Sequence, residues 1–310
     1  MLIVDPSYEI QDELDQASLV IRLEACGRIC YKSEEKIDRN SALPFVKKIA
    51  EHGHNSVMEM AVVTLGVQCS DEQFASLLAL EPKYLFIDRL DDEILVTASI
   101  RSFRELYQRA GDNLLVEAMV GFQVDCHAYL FEGVWDGGHG LREKSNIQVR
   151  KLELQEVDKL PPSIIANHRY CGVKFTVNRA VTHEIVRHRP CSYLQESQRY
   201  CRYSQDKFGN QVTFIKPMFY EEGTEEFALW QKAMEDTENI YLQLLETSTP
   251  QAARTVLPNS CKTEIIVYCN LKEWKHIFKL RTSQAAEPSM REVMIPLAAE
   301  MKGRYPTVFD

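Results

Sequence analysis

Apolar residues recur at helical spacing over residues 10–31, a stretch that ends in ACGRICYKS. Leu43, Phe45, Val46, Ile49 and Ala50 predict a short helix around 42–52. It runs into the polar loop HGHNS, after which MEMAVVTLGVQC reads as a buried strand. Between 71 and 165, helical patterns (QFASLLAL, SFRELYQRA, LLVEAMVGFQVDCHAYLF) alternate with one strand-like run, ILVTAS. The glycines of DGGHG at 136–140 predict a loop. GVKFTV at 172–177 is strand-like, and NRAVTHEIVRHR predicts a helix that must stop at Pro190. Further along, Phe227, Trp230, Met234, Tyr241 and Leu244 mark one face of a long helix. Thr249 and Pro250 suit the N-cap and first turn of the next helix, which stops before Pro258. Two closing helices follow, one through Trp274, Ile277 and Phe278, the other through Met290, Val293, Leu297 and Met301. With no internal repeat, low-complexity tract or linker, the 310 residues predict one α+β domain.

Composition narrows the class. Hydrophobic residues at 45% and charged residues at 26% exclude a disordered or fibrous chain. The 13 glycines and 12 prolines are about 8% of the chain, below the ~12% average, which favours long regular elements over a turn-dense sandwich. A net charge of −9 gives a field that attracts neither nucleic acid nor an anionic membrane, so neither is expected as a partner. Any anionic ligand then needs a local cluster of cations. The start, MLIVDPSYEIQDELDQ, lacks the basic region of a signal peptide, and no run of about 18 apolar residues occurs. A cytoplasmic protein with reduced thiols is expected for the nine cysteines. Cys26 and Cys30 have no second close pair, so spacing predicts no metal site.

The unusual stretch is RHRPCSYLQESQRYCRY, residues 187–203. From 181 to 207, five cations face three acids, leaving −11 for the rest of the chain. Arginine forks pair bidentately with phosphate, and interleaved tyrosines and glutamines offer stacking faces and amide edges, which suits a nucleotide. A plainer reading of Arg187 and Arg189 is that they complement the dipole at the end of the helix before Pro190. That reading leaves Ser192, Gln195, Ser197 and Arg199 unexplained. His183, Glu184 and His188 do not form a zincin pair, because histidines five residues apart point to different helix faces. His52-Gly53-His54 reads as a polar loop, and the chain has no G-x-G-x-x-G and no Walker loop.

Arg187-His188-Arg189, seven residues and then Ser197 is similar to the R-H-R-x7-S signature of the flavin-dependent thymidylate synthase family. The likeness extends through RHRPCSYLQESQRYCRYSQDKFGNQVTFIKP, over more than 30 residues. ACGRICYKS at 25–33 resembles an early block of that family, and HGHNSVMEM at 52–60 its flavin block. TPQAARTVLPNS at 249–260 and NLKEWKHIFKLR at 270–281 resemble its two C-terminal blocks. The resemblance covers roughly 17–68 and 168–303. Met60 stands where the flavin block commonly ends in His, and Glu287 where a later segment has His. His54 and Arg187 lie 133 residues apart, longer than in compact members, and SIRSFREL at 99–106 weakly resembles the extended ones. Residues 70–165 are therefore read as an elaborated middle segment.

The resemblance implies an α+β subunit, mixed helices packed on a mostly antiparallel sheet, in a homotetramer with active sites between subunits. It implies conversion of dUMP to dTMP with FAD, methylenetetrahydrofolate and NADPH. Arg187, His188 and Arg189 would contact the flavin, with Ser56, Gln195, Asn270, Lys272 and His276. Glu184, Arg187, Gln195, Glu196, Ser197, Gln198, Arg199 and Arg254 would hold the nucleotide, and Arg281 would polarise uracil N3. By local reading alone, Arg254 and Arg281 are helix-terminal cations, Asn270 a cap and His276 a surface or core histidine. The resemblance gives Cys191 no nucleophilic role, although Pro190-Cys191 invites comparison with the unrelated folate-only thymidylate synthases. Two alternatives are a flavoprotein reductase with another acceptor and a single-strand nucleic-acid-binding module. The net charge and the single short basic segment count against the second.

Overall fold

The computed structural model describes residues 1–51, 55–141 and 146–309. Among them are ten strands: β1 (Leu2–Val4), β2 (Ser7–Ile10), β3 (Val62–Gln68), β4 (Phe86–Leu90), β5 (Glu93–Ser99), β6 (Gln148–Lys151), β7 (Tyr170–Asn178), β8 (Ser192–Gln195), β9 (Thr213–Ile215) and β10 (Lys262–Asn270). They form a central sheet in the order β2-β7-β10-β8, a second sheet in the order β4-β5-β3-β6, and the pair β1-β9. Every pairing in the two four-stranded sheets is antiparallel; β1 and β9 are parallel. The fold is thus α+β, with helices on mostly antiparallel sheet.

β10 is covered on both sides. Ile265, Val267 and Cys269 face one apolar cluster with Trp274, Ile277, Phe278, Met290, Val293 and Leu297. Ile266 and Tyr268 face another, built from the helix Leu19–Ile29, β3, β5 and the helices Ile100–Ala110 and Leu114–His127. A strand with two buried faces shows a continuous apolar run rather than alternation, as IIVYC does in β10. The indole N–H of Trp274 donates to the Cys171 carbonyl at 3.1 Å and ties the helix Leu271–Arg281 to β7.

Several sequence expectations shift. The stretch 10–31 is two helices, Asp12–Gln16 and Leu19–Ile29, interrupted at extended Ala17 and Ser18. The long helix is Glu225–Thr247, but Leu245 is buried in place of Leu244. The apolar stripe runs through Glu238, whose carboxylate takes the terminal amine of Met1 at 2.9 Å and the Val212 N–H at 3.3 Å. An acid on the stripe disguised its true phase. Thr249 caps the next helix as expected, accepting from the Ala252 N–H. The helix after β7 ends at Ile185, five residues before Pro190. The middle segment supplies β4, β5 and β6, all of them joined to the sheet of β3. All nine cysteines are unpaired, and among the described residues no helix is long and apolar enough to cross a membrane.

Candidate active site

The helix Arg179–Ile185 starts where Asn178 accepts from the Val181 N–H, and its far end meets the last turn of Leu271–Arg281. There Arg281 closes a knot. Its Nη1 donates to the Glu184 carboxylate at 2.8 Å, its Nη2 to the Glu184 carbonyl at 2.8 Å, and its Nε to His188 Nε2 at 3.0 Å. The Tyr193 hydroxyl serves the neighbouring carbonyls of Ile185 and His188 at 2.8 and 2.7 Å. A helix end leaves its last carbonyls without intrahelical partners. Here turn N–H groups of Arg187, His188 and Cys191 donate to the Glu184, Ile185 and His188 carbonyls. Arg281 adds a bond to the first, and the other two share the single Tyr193 hydroxyl proton. Arg281 is 15% exposed at its side chain. It is therefore no solvated last-turn cation.

His188 is 5% exposed. Burial, then the positive charge of Arg281 and the neighbouring His276, push its pKa down to about 4, so the ring is neutral near pH 7. Because an arginine N–H can only donate, Nε2 must carry the lone pair and Nδ1 the proton. Nδ1 lies 3.7 Å from the Glu273 carboxylate, whose pKa burial raises against the opposing effect of His276. With a neutral imidazole this contact is not an ion pair. Arg187, His188, Arg189, Pro190, Glu273, His276, Leu280 and Arg281 line a cleft of about 380 Å³. Arg187 reaches solvent while pairing with Glu184 at 3.1 Å, and Arg189 is exposed with no polar partner among the described residues.

The rest of the signature runs along β8 away from the cleft. Gln195 Nε2 donates to the hydroxyls of Thr182 and Thr263 at 3.0 and 3.2 Å, which ties β8 to the helix bearing Glu184. Glu196 is buried and fully engaged, taking the Tyr203 hydroxyl at 2.8 Å and Lys262 at 2.9 Å. Lys262 also bridges to Glu264, which in turn holds Lys32 at 3.0 Å. Burial opposes ionisation of Glu264, but the two lysines prevail and hold its pKa at about 2. The Ser197 N–H donates to the Cys30 carbonyl at 3.0 Å, joining the signature to the ACGRICYKS block. Gln198 is buried with its Nε2 unpartnered. Arg199 is exposed over the Tyr200 ring, which packs 5.1 Å from Tyr31.

Six of the expected residues thus share one neighbourhood: Glu184, Arg187, His188, Arg189, His276 and Arg281. Gln195 to Arg199 follow on the adjoining strand end. Asn270 is engaged within the chain: it caps its helix through the Glu273 N–H at 2.9 Å and donates to the Asn167 carbonyl at 3.1 Å. Lys272 is exposed on the same helix. Ser56 is exposed on the short helix Asn55–Met58, and His52-Gly53-His54 lies outside the described residues. Arg254, in the turn Arg254–Val256, has no polar side-chain partner among the described residues. Met60 is buried in the core, where an apolar side chain suits its surroundings. Glu287 caps the helix Pro288–Arg304 by accepting from the Met290 N–H at 2.8 Å.

Sequence reasoning missed Glu273, Tyr193 and the Lys262–Glu264 pair. The signals were present as the E-x-x-H spacing of 273–276 and the same-face spacing of Lys262 and Glu264 on a strand. The middle segment also reaches the signature. Ser99, Arg101, Ser102 and Glu105 line a second cleft of about 180 Å³ with Arg189, Pro190, Cys191 and Ser192. Arg101 there pairs with Glu59 and Glu105, each at 2.7 Å.

The chain matches the family model described as thymidylate synthase complementing protein over residues 17–78 and 156–307. It is 38% identical over 128 residues to a flavin-dependent thymidylate synthase of Pyrococcus furiosus, a match covering 41% of this chain and 52% of that protein. It is 36% identical over 128 residues to the protein of that name from Pyrococcus abyssi, covering 41% and 52%. A third such protein, from Geobacter sulfurreducens, is 34% identical over 134 residues, covering 43% and 56%. The chain therefore spans about half the length of the curated relatives it matches.

Proposed function

The chain belongs to the thymidylate synthase complementing protein family, and we propose that it is a flavin-dependent thymidylate synthase. In this reading it methylates dUMP to dTMP, with methylenetetrahydrofolate as carbon donor, NADPH as reductant and FAD as bound cofactor. The observation that carries the reading is the Arg281 knot. A guanidinium has five N–H donors, and the three bonds to Glu184 and His188 leave two unspent on a rigidly held fork. A fixed fork with two spare donors suits the edge of a pyrimidine, where charge must develop on the ring before C5 can react.

The residues present suit a flavin dinucleotide. Arg187 and Arg189 stand at the rim of the 380 Å³ cleft, beside the donors of His188 and His276. Arg189 is without a polar partner among the described residues, as an anion ligand would require. Ser56, Gln195, Asn270 and Lys272 complete the flavin side of the proposal. When bound, the flavin would accept hydride from NADPH and supply the reducing equivalents of methylation. The chain's own residues do the rest. Arg199 and Arg254 offer charge to the dUMP phosphate, and Glu196, through Tyr203 and Lys262, keeps the loop Ser197–Gln198 in one shape. The Gln198 amide, buried and unpartnered, is free to donate to a nucleotide. Glu184 holds Arg281 in orientation.

Drug-sized ligand sites span about 300–1,000 Å³, so this cleft alone takes only part of a dinucleotide and its co-substrates. That supports a site completed by a second copy; the assembly we propose is a homotetramer. The middle segment 70–165, which contributes strands to the sheet of β3, is read as part of the same single domain. An anaerobic assay containing dUMP, methylenetetrahydrofolate, NADPH and FAD tests the proposal. It expects dTMP, formed only when all four are present; flavin-dependent NADPH oxidation without dTMP would reassign the chain to a reductase.

A further inference from the structure

Glu273 and His276 sit three residues apart on the helix Leu271–Arg281, a spacing that puts both side chains on one face. That face turns toward His188, and one donor atom from each of the three residues lies within 4.8 Å of the other two. We propose that His188, Glu273 and His276 form a binding site for a divalent transition-metal ion of the Zn²⁺ type. The assignment goes beyond the thymidylate reading and concerns the flavin-free chain, because that reading places His188 and His276 on the flavin and the two ligands would compete for them.

Two imidazoles and a carboxylate are a donor set that suits zinc, leaving a fourth position for water. Bonds of about 2.0–2.1 Å in a tetrahedron require donor separations of about 3.3 Å, so the set must contract from its present spacing. His276 is exposed and can make that adjustment by a rotamer change, whereas His188 is fixed by its burial. Glu273 supplies negative charge to the ion, while the nearby Arg281 shares the Glu184 carboxylate with Arg187, at 2.8 and 3.1 Å. His188 is neutral near pH 7, as a ligand must be. His188 meets these partners on another helix, not on its own segment at His183 and Glu184.

Binding has a defined consequence for the knot. Nδ1 is the His188 nitrogen nearest Glu273, and it carries the ring proton because Nε2 accepts from Arg281. A metal at Nδ1 displaces that proton, which moves to Nε2, so the ring stays neutral. Nε2–H then faces the Arg281 Nε–H, two donors with no acceptor. Arg281 loses its bond to the ring and keeps both bonds to Glu184. Metal binding therefore unlatches Arg281 from the signature segment.

The test is a Zn²⁺ titration, read by calorimetry, of the purified full chain after small molecules are stripped at high salt. Co²⁺ absorption reports the coordination number. One Zn²⁺ per chain is expected, with the visible spectrum of a four-coordinate Co²⁺ site. Glu273→Gln and His276→Ala should each weaken binding by roughly tenfold or more, since even residues behind the ligands cost 10–100-fold in known sites. His183→Ala, which alters an exposed histidine outside the set, should bind as wild type. Circular dichroism melts establish that the variants remain folded. Absence of saturable binding at millimolar Zn²⁺, or wild-type affinity in either Glu273→Gln or His276→Ala, overturns the proposal.

Discussion

Arg281 holds Glu184 twice, through the side-chain carboxylate and through the main-chain carbonyl, each at 2.8 Å. The two residues are 97 positions apart, so this one side chain fixes how the ends of two helices meet. It also fixes the direction in which its own remaining donors point. Orientation of the guanidinium and shape of the cleft are therefore the same structural fact.

Replacing Arg281 by Ala should leave His188 Nε2 without its donor and the half-buried Glu184 carboxylate with Arg187 alone, costing about 1–3 kcal/mol of stability. Thermal melts should register that loss, contrary to what a surface cation would give. At a temperature where the variant is folded, dTMP formation should fall by roughly 100-fold or more, in line with removal of an oxyanion-type donor. Arg281→Lys should recover only part, because a point charge cannot replace a fork. A near-wild-type rate for the alanine variant would remove Arg281 from the chemistry.

Arg189 gives the opposite profile. It is exposed and free of polar partners among the described residues, so Arg189→Ala should change stability by no more than about 0.5 kcal/mol. Flavin absorbance after gel filtration should be largely lost. Full flavin retention in a folded variant would break the link between the arginine triplet and the cofactor.

Cys191 is 8% exposed and lines the cleft shared with the middle segment. If the flavin and Arg281 activate the pyrimidine, no enzyme thiolate is needed, and Cys191→Ala should stay within a few-fold of wild type. Single-turnover rates would decide the matter: a thousandfold loss with both ligands still bound would make Cys191 the nucleophile.

His188 makes stability depend on pH in a definite direction. Its pKa is depressed to about 4 in the folded chain against about 6.5 when unfolded. Between those values the unfolded chain binds the proton and the folded chain does not, so stability rises with pH there. Its contribution is fully present above about pH 6.5 and is lost as pH falls through 4. Melting temperatures taken across that window should show the slope, and His188→Asn should flatten it. An unchanged slope in the variant would mean that another group carries the effect.

The chemistry-bearing stretch was legible because it breaks composition: five cations in a short segment of an acidic chain. Helices were legible where one face is uniformly apolar, as in Leu271–Arg281, or where a cap is explicit, as at Thr249. Strands were legible at MEMAVVTLGVQC, ILVTAS and GVKFTV, which are β3, β5 and β7. β10 and β8 were not: β10 shows no apolar–polar alternation, and β8 lies inside the polar signature. Pro190 pointed to the wrong helix end: the helix gives way to turn bonds at Glu184 and Ile185, and Arg281 joins them through space. Asn270 illustrates the same limit in reverse: its local reading as a cap is what the structure contains.

The pairing of β3 with β6 has a consequence for the birth of the chain. Val67 and Val149 are register partners 82 residues apart, and between them come β4, β5 and the helices that cover this sheet. At a synthesis rate of about 5–20 residues per second, β3 leaves the ribosome roughly 4–16 s before β6 exists to protect its second edge. During that interval an apolar strand, with Val63, Leu65 and Val67 destined for the core, presents an open ladder to its surroundings. Slowing translation within 70–148 should lengthen the exposure and raise the insoluble fraction, so the middle segment sets the pace at which the nascent chain becomes safe from its neighbours.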